Sequence, residues 1–201
     1  MNEEKIDIII ELLKFLFICL FMIYTNNKII SIENETKIKK LIYFMSTIIV
    51  MLANVYLKIN NYILALIYMI IIYAIMNKFK LIYSSVINLL SFAINLVIFV
   101  LSSALIYFPA RVLNVENKIL NFIVINIIQG ILVILFWKIK RVHNGITFLK
   151  KWKDDEYINL LLLNISIGIL FITVILSNYQ EGITSKFGVM LIIFAIVMFI
   201  T

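Results

Sequence analysis

SSVINLLSFAINLVIFVLSSALIYF, residues 84–108, runs for twenty-five positions without a charge. A helix needs about twenty apolar residues to cross a bilayer core of ~30 Å. Its polar residues, Ser84, Asn88, Ser91, Asn95 and Ser102, are spaced 4, 3, 4 and 7 apart. At ~100° per residue they fall within about 60° of arc, a single stripe down one helix. The stripe reads as hydrogen-bonding glue between helices, with a polar cavity as the functional alternative. Asn159, Ser166, Thr173 and Ser177 make a second stripe further along, and Asn126 and Gln129 read the same way.

The rest of the chain agrees with this stretch. Apolar residues make up 64% of 201 positions, and mean hydropathy is +1.08. Soluble domains lie nearer ~45–50% apolar. Long runs apolar on all sides, without alternation, exclude a barrel and leave helices that satisfy their own backbone in lipid. The expected fold is an all-α polytopic membrane protein in one domain, 1–201. About seven spans are expected, at 6–24, 41–57, 62–76, 84–108, 119–137, 157–177 and 187–201. The second and third read as a tight hairpin around KINN (58–61), and the last stops short of a full crossing. Acidic Glu3, Glu4 and Asp7 stand before and at the start of the first span, which therefore does not read as a cleavable signal. Within it, Glu11 and Lys14 are close enough to pair.

The net charge of +7 reflects loops rather than nucleic-acid binding. Twelve of eighteen Lys and Arg residues fall in 25–40, 77–80 and 138–156, against five on the other side. Cytoplasmic loops are enriched in these residues, so the amino terminus is expected outside and the carboxyl terminus at the cytoplasmic side of the cell membrane. Trp137 and Trp152 flank the largest basic loop as expected interfacial anchors.

Little here reads as catalytic. The only histidine, His143, lies in the basic loop and the only cysteine, Cys19, in the first span, so a Cys/His peptidase pair is not expected. One of each makes no typical zinc site. No GxxxxGK[ST] or GxGxxG loop is present. The chain is expected to hold no cofactor and to be no enzyme.

KIKRVHNGITFLK (138–150), EYINLLLLNISIGILF (156–171), SNYQEGIT (177–184) and LIIFAIVMFI (191–200) carry a resemblance. YLKINNY (56–62) and SFAIN (91–95) fit it more loosely. Together they resemble the membrane sensor region of the accessory gene regulator C family of GHKL-type sensor histidine kinases. The resemblance implies a receptor for a secreted peptide pheromone, the autoinducing peptide of a quorum-sensing two-component system. In that family the last span leads into a phosphoacceptor helix and an ATP-binding domain. The 201 residues hold no counterpart of either, so a truncated product, a split receptor or a decoy is expected. Such a chain would partner membrane lipid and form a homodimer, or a heterodimer with a full-length kinase. By position, Lys58, Asn60, Asn61, Tyr107, Phe108 and Arg111 are the expected ligand-facing residues, with Tyr107 and Phe108 beside the only proline, Pro109. The two aromatics read more readily as ordinary interface anchors. The alternative function is the membrane subunit of a small-solute transport system.

Overall fold

The structure, a computed structural model, describes residues 3–31, 36–57, 59–112, 118–139 and 153–178, with Ile146, Leu149 and Lys151. Among them are six helices and no strand: α1 (Glu3–Ile29), α2 (Lys37–Leu57), α3 (Asn61–Asn77), α4 (Leu81–Val112), α5 (Lys118–Lys138) and α6 (Glu156–Asn178). Each of the first six expected spans has its helix. The seventh, 187–201, lies outside the described residues. Among the described residues four segments are long and apolar enough to cross a membrane: Ile8–Ile29, Lys37–Leu57, Leu81–Ile106 and Leu120–Lys138. The described residues are therefore all-helical with four candidate membrane-crossing helices, while α3 is a shorter apolar helix of 17 residues.

Local chemistry sets the helix ends. Thr36 opens α2, its Oγ1 accepting the Lys39 N–H at 3.4 Å and its carbonyl the Lys40 N–H at 3.3 Å. With that cap α2 reaches 21 residues, correcting the expectation of a short span beginning at 41. Asn60 caps α3, its Oδ1 accepting the N–H groups of Tyr62 and Ile63. At the other end Lys78 turns left-handed (φ 54°), and the Phe79 N–H returns to the Ala74 carbonyl at 3.0 Å.

α1 also outruns its expected end at 24 and closes only at Ser31, which has φ 48°. Thr25 and Asn26, expected in a loop, are fully buried helical residues. Their polarity resembles a loop signal, but both find partners on α4 (below), so the helix continues.

α4 is the central element and packs against α1, α3, α5 and α6. One core cluster joins Ile29, Tyr43, Tyr73, Tyr83, Val133, Trp137 and Leu149; another joins Phe15, Cys19, Met22, Ala65, Met69 and Phe92. Trp137 is 1% exposed, which corrects its expected place as an interfacial anchor. Neighbouring helices cover the indole's apolar area here, a role the lipid boundary would otherwise serve.

Apolar residues also cover the outside. Ile63, Ile67, Ile71 and Ile75 form an exposed i, i+4 row on α3, as do Ile123, Ile127 and Ile131 on α5. A helix apolar both inside and outside suits a lipid environment rather than water.

Candidate functional site

Three basic segments converge at one end of the helix assembly. The Ile146 N–H donates to the Ile29 carbonyl at 2.9 Å. Lys39 Nζ donates to Asn77 Oδ1 at 3.2 Å. Lys80 Nζ reaches Glu156 Oε1 at 2.6 Å. These contacts bring described residues of 25–40, 77–80 and 138–156 to a common end. There Asn77 Nδ2 donates to the Tyr43 hydroxyl at 3.0 Å, and Tyr43, Tyr73, Phe79 and Tyr83 form a run of ring contacts. The Lys80–Glu156 hydrogen bond shifts both groups: it holds the carboxyl below, and the ammonium above, their ordinary values.

Through the middle runs a polar seam built by the α4 stripe. Ser84, Asn88, Ser91 and Ser102 are fully buried and Asn95 nearly so. Ser84 Oγ donates to the Ile70 carbonyl of α3 at 2.7 Å, and Ser91 Oγ to the Met22 carbonyl of α1 at 3.3 Å. Asn26 Nδ2 donates to Asn88 Oδ1 at 2.8 Å, and Asn95 Nδ2 to Thr25 Oγ1 at 3.1 Å. Gln129 Nε2, on α5, donates to the Asn95 carbonyl at 3.2 Å. The stripe is interhelical glue, each bond being worth about 0.6–2 kcal/mol in a membrane. Ser102 departs from the pattern and bonds its own helix at Ile98. So do Ser166 at Leu162 and Asn126 at Phe122. Asn159 donates to the nearby Lys153 carbonyl, whereas Thr173 and Ser177 have no described side chains.

At the other end α1 meets the α2–α3 turn. Glu11 and Lys14 pair as expected, Nζ to Oε1 at 3.0 Å. Asn61 Nδ2 donates to the other Glu11 oxygen, Oε2, and to the Glu11 carbonyl at 3.1 Å. Asn54 Nδ2 donates to Asn61 Oδ1 at 2.7 Å. Asn54 also clamps Ile59, accepting its N–H and donating to its carbonyl, each at 3.0 Å. Lys14 Nζ stands 5.7 Å from the centre of the Tyr62 ring, which meets Phe92 edge-on at 6.2 Å. The expected tight hairpin is present, and it is wired to a carboxylate on α1.

The expected ligand-facing residues divide. Asn60 is exposed at the turn. Asn61 is 8% exposed, its amide spent on Glu11 and Asn54. Tyr107, Phe108 and Arg111 belong to the last turns of α4, where only the backbone is described. Lys58, Trp152 and His143 lie outside the described residues. Phe92 marks the level of the α2–α3 turn on α4, and Tyr107 stands about 22 Å further along the axis at ~1.5 Å per residue. The turn and the end of α4 are therefore not a single patch. Sequence reading missed Glu11, Lys14 and Asn54 as partners of this turn. The signal was present in two charges near the start of an apolar run, but their partner on a distant helix was not.

Among the described residues no three His, Cys, Asp or Glu side chains gather as a metal site. The cluster offers hydrogen bonds and opposed charges, which suit recognition. No family model matches the chain, and no curated protein or solved structure matches it.

Proposed function

We propose that this chain is the membrane sensor region of a peptide-responsive signalling receptor, of the kind its sequence resembles. Its ligand is a secreted autoinducing peptide, received at the end opposite the basic loops. In this reading the chain crosses the membrane seven times, counting α3, α6 and 187–201 as spans. The amino terminus is outside, and the signal leaves through 187–201 to a kinase partner or a second copy. The observation that carries the reading is the polarity of the two ends. Three basic segments share one end, as cytoplasmic loops do. The opposite end presents Asn60 and the Glu11–Lys14 pair. Glue-like use of the α4 stripe leaves that end as the place for recognition.

The test is saturable binding of a labelled peptide, purified from medium conditioned by the source cells, to the 201-residue protein in nanodiscs. Saturation at micromolar concentration or below is expected. Absence of saturable binding from every peptide fraction would refute the reading.

A further inference from the structure

The α2–α3 turn lies below the tips of the helices beside it. Asn61, the first residue of α3, bonds to Glu11, which is eight residues inside α1. α1 therefore continues about 12 Å past the turn at ~1.5 Å per residue. Tyr62 meets Phe92, and α4 runs on to Val112, about 30 Å further along its axis. α3 itself has 17 residues, roughly 25 Å, against a hydrocarbon core of ~30 Å. Lys39 bonds Asn77, and from that shared level α2 to Leu57 and α3 to Asn61 both rise roughly 24–27 Å, short of that core.

Charge points to the same level. Glu11 and Lys14 lie inside the apolar segment Ile8–Ile29, yet their side chains are 56% and 31% exposed. A charged pair facing hydrocarbon without water is strongly disfavoured, and intramembrane charges face water-filled space or the bundle interior.

From these two observations we propose that the α2–α3 turn is the floor of a water-filled recess. The recess opens at the end where α1 begins and receives an anionic group such as a carboxylate. Lys14 is the fixed cation of the floor. Its ammonium has donors beyond the one given to Glu11. Asn60 Nδ2 has no hydrogen-bond partner among the described residues and lies at the same turn. The Glu11 carboxylate is occupied by Lys14 and Asn61, so the uncommitted donors at the turn are those of Lys14 and Asn60. The recess depends on the preceding reading only for the identity of its ligand and the side on which it opens.

Cysteine accessibility tests it without any peptide. Cys19→Ser removes the only native thiol, and Ile59→Cys places one on the turn while leaving the Asn60 cap intact. Ile67→Cys, halfway along the lipid-facing row of α3, is the control. Intact cells are treated with membrane-impermeant methanethiosulfonates, one carrying a sulfonate and one a trimethylammonium group. The thiol at 59 should react with both and the thiol at 67 with neither. The sulfonate should react at least about threefold faster relative to free thiol, an advantage that Lys14→Gln removes and Lys14→Arg keeps. Failure of the thiol at 59 to react from either side of the membrane would overturn the recess. Equal relative rates, unchanged by Lys14→Gln, would overturn the anion preference. Reaction only in inside-out vesicles would support the recess and reverse the proposed orientation. Normal reactivity with no peptide binding would support the recess and refute the peptide reading alone.

Discussion

Asn88 accepts from Asn26 and donates to the Ser84 carbonyl in a fully buried setting. Asn88→Leu leaves the Asn26 amide without its acceptor, and it should destabilise the folded protein in detergent by about 1–2 kcal/mol. Adding Asn26→Leu should return part of that loss, because an unpaired buried amide costs more than an apolar pair. Denaturant unfolding of both variants measures this, and equal stability of Asn88→Leu and the native chain would count against the seam. Asn60→Ala removes the α3 cap and should cost about 1 kcal/mol. Asn60→Gly should cost only a few tenths, so the order of the two unfolding midpoints is the check.

At the scale of elements, the Lys80–Glu156 pair joins the α3–α4 turn to the start of α6. The Glu156 pKa is lowered on folding, so its contribution is present above the unfolded value and is lost as pH falls through the lowered one. The Lys80 pKa is raised, so that contribution is present below its unfolded value and is lost as pH rises through the raised one. The stability difference between native protein and Glu156→Gln should therefore be flat between about pH 5 and 10 and decline as pH falls below about 4, disappearing once the carboxyl is protonated in the folded protein. Both groups are exposed, so the plateau should shrink in 1 M salt. A difference that persists after acid has protonated Glu156 in the folded protein would assign the effect to packing. The hairpin of α2 and α3 makes a different demand. Asn54 holds both polar groups of Ile59 as well as Asn61, and Asn54→Ala should raise amide exchange at 59–62 while leaving α5 unchanged.

For the molecule as a whole, the basic segments share one end. Reporter fusions after Phe79 and after Ile139 should therefore report the same side of the membrane, and a fusion after Ile59 the opposite side. A split between the first two would overturn this arrangement. Much of the helical plan was legible in hydropathy: six expected spans have helices where the apolar runs lie. The polar stripe was legible too, because 3.6-residue periodicity places Ser84, Asn88, Ser91 and Asn95 on one face before any neighbour is known. The partners of that face were not legible. Thr25 and Asn26 look like the start of a loop, and only α4 makes them helical core. Glu11 and Asn61 are fifty residues apart, and no local rule joins them.

Composition, run length and the alternation of lysines thus determined that the chain is helical, suited to lipid and divided into a basic and a less basic end. Hydropathy depends on each residue's own transfer free energy, so it needs no neighbour. Tertiary packing decided the rest: the burial of Trp137, the use of Asn61 as a fastener, and the level of the α2–α3 turn against α1 and α4. A side chain apolar enough for lipid is apolar enough for a core. Only the helix packed beside it decides which of the two it meets.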